Sequence, residues 1–131
     1  GLAAEGFDVL AESRGYTASH QVLTRHGDID SGAGATAASL LEKAGIITNM
    51  NMLPGDTKAM TPSGLRLGVQ ELTRIGMGPR EMEEVASFYA RVLLKKEDVN
   101  AIKTDVAHLK SDFQHVQYCF DSEDLLAYEG M

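Results

Sequence analysis

The chain holds a single cysteine, Cys119, so no disulfide can form within it and it does not read as a stapled secreted module. Basic residues are also scarce: twelve Lys and Arg face nineteen Asp and Glu, a net charge of −7. A surface of that sign repels a polyphosphate backbone, which argues against nucleic acid as a partner. Lys95 and Lys96 lie among acids and do not alter this. No apolar run nears the roughly 20 residues that cross a bilayer, and no basic-then-apolar leader opens the chain. Together these shortages lead us to expect a reduced, soluble, cytoplasmic protein without a membrane partner. Internal repeats and low-complexity tracts are absent as well. What remains is an ordinary globular composition, 44% apolar and 24% charged over 131 residues, enough for one domain with a real core.

Local patterns predict a series of elements. The opening GLAAEG reads as the last turn of a helix stopped at Gly6, a first hint of a piece of a longer protein. Alternation predicts strands at Phe7–Ala11 and His20–Thr24, joined by the polar stretch Glu12–Ser19. His26–Gly34 is loop by composition. Ala37, Leu40, Leu41 and Ala44 mark one face of a helix over Ala35–Ala44, closed by Gly45. The β-branched Ile46–Thr48 predicts a strand, Asn49–Ser63 a long loop, and Gly64–Gly68 a strand with arginine at its centre. Pro79 opens the strongest helix, with Met82, Val85, Ala86, Tyr89, Val92 and Leu93 as its apolar stripe. A last helix is expected over Asp98–Phe113, and the acidic stretch from Asp121 is expected to be mobile or to dock elsewhere. The order implies an α/β (α+β) two-layer domain, a small, mostly antiparallel sheet with helices packed on one face.

Chemistry concentrates between Ala44 and Gly76. In GLRLG, Leu65 and Leu67 share one face of a strand, so if they enter the core Arg66 points away from it. A guanidinium on a stiff strand between glycines suits a two-pronged grip on a carboxylate. On these grounds alone the plainer alternative, a solvated arginine on an edge strand, is favoured.

The runs AGIITNMNMLPGD, PSGLRLG and ELTRIGMG, in that order and spacing, resemble serine hydroxymethyltransferases. GFDVL, SHQVLT, PREMEEVASFYARVL and DVAHLKSDF extend the likeness more weakly to about Phe113. The resemblance implies that residues 1–113 form the C-terminal small domain of a fold-type I pyridoxal-phosphate enzyme, with 114–131 as a tail. It also implies the activity, transfer of a one-carbon unit between serine and tetrahydrofolate or another tetrahydropterin, which interconverts serine and glycine. Arg66 then binds the substrate carboxylate and Asn51 lies near the pterin. The partners implied are the amino acid, the large domain of the same protein and, at full length, a second copy in a homodimer. The Schiff-base lysine and the other groups that hold the cofactor belong to the family's large domain, so no catalytic residue is expected here and the chain alone is expected to be inactive. Lys58 is a solvated loop residue on this reading.

Met50 stands where the family usually has lysine, and Val69, Gln70 and Glu71 replace its threonine, proline and alanine. These departures spare the amino-acid grip and leave the one-carbon carrier open. A related aldolase or transaldolase acting on β-hydroxy amino acids is an alternative, and so, from another class, is a non-catalytic binding module with this fold.

Rival constellations are weaker. His20, His26, Asp28 and Asp30 have metal-ligand chemistry, but a polar loop collects such residues for solubility, and no metal is expected. A structural role is favoured for His20. Met50, Met52, Met60 and Met77 fall in or beside loops and serve equally well as an adaptable contact surface or as gap fillers. Cys119, without a basic neighbour in sequence, reads as an inert buried thiol.

Overall fold

Residues 1–117 are described in the computed structural model of the chain. Four strands, β1 (Asp8–Val9), β2 (Gln21–Arg25), β3 (Asn49–Asn51) and β4 (Gly64–Gly68), form one sheet in the order β1-β2-β4-β3. Every neighbouring pair is antiparallel. The edges are therefore β1 and β3, and β4 lies inside. This corrects the edge-strand alternative for Arg66: its strand is bonded on both sides, to β2 from Gln21–Gly68 to Arg25–Gly64 and to β3 from Asn49–Arg66 to Asn51–Gly64.

The described residues also hold four α-helices: α1 (Ala33–Lys43), α2 (Gln70–Arg74), α3 (Pro79–Leu93) and α4 (Val99–Ser111). Leu65 and Leu67 of β4 enter a core with Leu41 and Ala44 of α1 and its end, Phe88, Tyr89 and Val92 of α3, and Ile102 of α4. Phe7, just before β1, meets the Tyr89 ring edge-on at 6.4 Å, and burial pushes the Tyr89 phenol far above its usual range. Helix ends follow local chemistry. Pro79 sits at the first position of α3, where the Glu81 carboxylate accepts the Gly78 N–H at 2.8 Å. Asp98 Oδ1 accepts Asn100 N–H at the start of α4.

One predicted strand is displaced. Pairing does not involve Ile46–Thr48 but begins at Asn49. The reason is the end of α1. Gly45, at φ +80°, lets its own N–H bond Glu42 O and the Ile46 N–H bond Leu41 O, both at 2.9 Å. Ile46 is thus committed to closing the helix and packs on the core, while Ile47 is 89% exposed. Two further differences are smaller. β1 is only two residues long, ending before Ala11 turns left-handed at φ +64°, and α2 has no counterpart in the sequence reading. Cys119 and the stretch from Asp121 lie outside the described residues.

Candidate functional site

The strand alternation that buries Leu65 and Leu67 turns Arg66 onto the opposite face of the sheet, where it is exposed. Leu23 of β2 and Asn49 of β3 stand directly across from it. Asn51, two residues further along β3, shares that face as its diagonal neighbour, roughly 7 Å away by antiparallel geometry. A second arginine of this face, Arg25, is engaged by Asp8 at 3.6 Å. The Arg66 side chain has neither an ion pair nor a hydrogen bond among the described residues.

Arg66 and Asn51 meet in a cleft of about 380 Å³, the two residues singled out in the sequence brought to one place. Its far wall is the segment Leu10–Ser19, which sequence reasoning treated as a mere connection. Leu10, Tyr16, Thr17 and Ser19 line it, with Gln21 and Leu23 as its floor. The wall is built by a tight 3-10 turn at Glu12–Arg14, bracketed by Ala11 and Tyr16, both with positive φ (64° and 69°). Such conformations are costly for side-chain-bearing residues and rarely occur in pairs. The Tyr16 hydroxyl donates to Glu12 at 3.3 Å, and desolvation with the nearby carboxylate holds the phenol above its usual range. Apart from the non-glycine residues flanking Gly15, nothing in the sequence signalled this wall.

The second feature missed in the sequence lies behind the site. Asp56 accepts the Asp30 N–H on Oδ1 at 2.8 Å, and on Oδ2 it accepts Leu53 N–H (2.9 Å), Ser63 N–H (2.9 Å) and the Ser63 hydroxyl (2.8 Å). Asp30 returns the arrangement, accepting Thr57 N–H, Lys58 N–H and the Thr57 hydroxyl at 2.6 to 2.8 Å. These bonds hold both carboxyls below the usual range, Asp56 by backbone donors above all and Asp30 chiefly by the Thr57 hydroxyl. Pro54-Gly55 just ahead of Asp56 is the turn signal that marks the place.

The same geometry shows how the rival residues are used. Both Asp30 oxygens are occupied by Thr57 and Lys58, and the His26 ring bonds Thr24 Oγ1 at 2.8 Å beside Phe7. Among the described residues no three His, Cys, Asp or Glu side chains converge to hold a metal ion. His20 is exposed, and its carbonyl accepts Val69 N–H at 3.1 Å. Lys58 is exposed in the loop and is not one of the residues lining the cleft. The methionines divide: Met77 is buried, while Met50, Met52 and Met60 are exposed. No helix of the described residues is long and apolar enough to cross a membrane.

Comparison with known proteins bears on this arrangement directly. The sequence model of the family described as serine hydroxymethyltransferase matches residues 1–89. The chain belongs to the serine hydroxymethyltransferase family. Among curated serine hydroxymethyltransferases, that of Thermococcus gammatolerans is 52% identical over 122 residues, and that of Methanocella arvoryzae 52% over 126. The alignments take in 92% and 95% of this chain but 29% of each relative, so the chain spans under a third of their length. Among solved structures, an L-threonine transaldolase from Pseudomonas fluorescens superposes with a TM-score of 0.74 at 31% identity, over 86% of this chain and 24% of that one. The small antiparallel sheet with its helices is thus the arrangement of a fold-type I pyridoxal-phosphate enzyme. The segment that matches the serine hydroxymethyltransferase family contains Asn51, Arg66, the cleft wall and both aspartates behind it.

Proposed function

We propose that this chain is the small domain of a serine/glycine hydroxymethyltransferase, a transferase that moves a one-carbon unit between serine and a tetrahydropterin such as tetrahydrofolate. The observation that carries the reading is Arg66: an exposed guanidinium without an acceptor among the described residues, on an interior strand, at the floor of a cleft. A strand bonded on both sides holds its Cα still, so on binding only the side chain, and not the backbone that carries it, has to be ordered. Its partner is the carboxylate of serine or glycine. Asn51 serves the pterin from the neighbouring strand end, where its amide can donate and accept.

Pyridoxal phosphate, implied by the family, supplies an electron sink when bound. None of the residues that line the cleft is a lysine able to hold it covalently. What they are suited to do is orient the amino acid, because two parallel hydrogen bonds fix the direction of the substrate's α-carbon bonds relative to the cofactor. On this reading residues 1–113 are the small domain, and 114–131 a tail, of a longer polypeptide that works as a cytoplasmic homodimer. Its large domain holds the cofactor and covers the open face of the sheet, over Arg66 and Asn51. The chain by itself is inactive. The transaldolase likeness supports a second reading within the same chemistry, aldol cleavage or transfer on a β-hydroxy amino acid. The higher identity to hydroxymethyltransferases supports the first reading over it.

The test is Arg66→Lys in the full-length enzyme. Lysine keeps the charge and loses the fork, so kcat/KM for serine cleavage falls by at least about 2 kcal/mol of transition-state stabilisation, roughly thirtyfold. Near-normal serine cleavage by the variant defeats the assignment. Turnover of serine only without a pterin moves the second reading to first.

A further inference from the structure

Arg66 and Asn51 are held in place by different means. Arg66 sits at the centre of a five-residue interior strand, paired on both sides. Asn51 is the last residue of a three-residue edge strand, and its pair with Gly64 ends the ladder. Beyond it the chain leaves for residues 52–63 before returning at Gly64. An edge strand of three pairs frays from its end, and a twelve-residue connection does little by itself to prevent that.

The Asp56 carboxylate closes this gap. Its Oδ2 accepts from Leu53, two residues past Asn51, and from both the N–H and hydroxyl of Ser63, the residue before Gly64. One oxygen atom thus ties the exit of β3 to the entrance of β4. Its Oδ1 anchors the tie to the loop before α1 through Asp30 N–H, and the Asp30 carboxylate holds Thr57 and Lys58 in return. Two backbone bonds reinforce the same seam, Gly32 N–H to Thr61 O (3.1 Å) and Gly34 N–H to Pro62 O (3.0 Å). Asn51 cannot supply this order itself, because its amide donates to the adjacent Met52 carbonyl rather than to another element. Ser63 is fully buried and Asp56 partly so, and there an N–H group left without its acceptor is costly.

We propose that Asp56 is a positioning residue for the co-substrate side of the site: its carboxylate sets the place of Asn51 while Arg66 depends on the interior ladder alone. This deepens the proposed function and rests on its assignment of Asn51 to the pterin. The consequence is a one-sided defect. Asp56→Asn removes the charge and turns an amide N–H toward donors, so it releases the β3 end and leaves the amino-acid grip intact.

The experiment uses the full-length enzyme with tetrahydrofolate as probe, comparing wild type, Asp56→Asn, Ser63→Ala, Asn51→Ala and the Asp56→Asn/Asn51→Ala pair. Tetrahydrofolate KM is read from serine cleavage, and glycine affinity from the cofactor's absorbance in the absence of folate. Asp56→Asn is expected to raise the tetrahydrofolate KM about tenfold with glycine affinity within about twofold of wild type. Ser63→Ala, which removes one of the four bonds, raises it by about two- to threefold and carries the comparison if Asp56→Asn does not fold. Adding Asp56→Asn to Asn51→Ala has little further effect, as expected when one residue acts through the other. Equal losses of glycine and tetrahydrofolate binding overturn the proposal, because they mark general loosening. A raised KM in Asn51→Ala with Asp56→Asn and Ser63→Ala unchanged overturns it too, and spares the Asn51 assignment. An unchanged KM in Asn51→Ala, or a wild type without tetrahydrofolate-dependent turnover, removes that assignment and the proposal with it.

Discussion

Gly34→Ala probes how α1 is seated on the strand that carries Arg66. Gly34 lies in the first turn of α1 and is buried against the backbone of Gly64, the first residue of β4. A Cβ there would overlap the Gly64 carbonyl oxygen and fall 2.9 Å from the Gly64 carbonyl carbon and nitrogen. Ordinary contact begins at 3.4 Å, so α1 must back away by at least about 0.5 Å. Backbone atoms cannot rotate aside as a side chain would. β4 has little room to retreat either, since Leu53 packs against the other side of Gly64, with Cδ2 2.7 Å from where a Cβ would be. Backing α1 away stretches the Gly34 N–H to Pro62 O bond and loosens Leu41 and Ala37 against Leu65. Overpacking of this kind costs about 1–3 kcal/mol. The gain from alanine in a helix is about 1 kcal/mol at most, and less in a first turn. The net expectation is a loss of about 1–2 kcal/mol, read as a lower urea midpoint by far-UV circular dichroism with an unchanged slope. Gly15→Ala is the control. It has nothing within 4 Å but sits at φ +76°, so it reports the conformational cost of alanine without a clash. If Gly34→Ala matches or exceeds the wild type in stability, the close seating of α1 on β4 is wrong.

Two other perturbations read out the core. Burial holds the His26 imidazole below its ordinary value, with the Asp8 carboxylate pulling the other way. The unfolded chain therefore takes up the proton first, so stability is full above about pH 6.5 and declines as pH falls toward the folded value. Urea midpoints measured from pH 8 to 5 should show this slope, and His26→Gln should remove it; a slope that survives in His26→Gln places its origin elsewhere. Ile102 is the one fully buried residue of α4, so Ile102→Ala should cost about 2–5 kcal/mol, and a loss below about 1 kcal/mol would mean that α4 does not depend on that contact.

The residues that were legible in the sequence are those whose placement follows from local period. Leu65 and Leu67 two apart on a strand are enough to turn Arg66 outward, and Pro79 with the stripe through Tyr89 is enough to start and orient α3. Phe88 and Ala90, off that stripe, are buried all the same, because α3 packs against α1 and α4 together, which no single-helix period encodes. The β-branched run Ile46–Thr48 has strand propensity, yet the bond from Ile46 to Leu41 takes its first amide for the helix end. Asp30 and Asp56, 26 residues apart, look like solubilising loop residues until the chain closes, when Asp56 accepts the Asp30 N–H and Asp30 accepts those of Thr57 and Lys58. Arg66 was therefore legible as an exposed cation from two neighbours, whereas the cleft wall and the paired aspartates arise only from tertiary closure.

The departures from the family pattern fall on the same division. Met50 lies in β3 and Val69, Gln70 and Glu71 directly follow β4, so all four lie outside β4 itself, whose interior ladder carries Arg66. An interior strand transmits a substitution poorly, since two sets of backbone bonds oppose any shift, and an edge strand or a following turn yields more readily. On the proposed roles, an enzyme that kept its amino-acid grip while changing its one-carbon carrier would vary at such yielding positions. The proposed roles then predict where specificity changes should be sought. Restoring the family's lysine by Met50→Lys should alter the preference among tetrahydropterins in the full-length enzyme through the edge strand that residue 50 shares with Asn51, and leave serine affinity within about twofold, because the interior ladder holds Arg66. A change in serine affinity as large as the change in pterin preference would show that the two strands do not act separately.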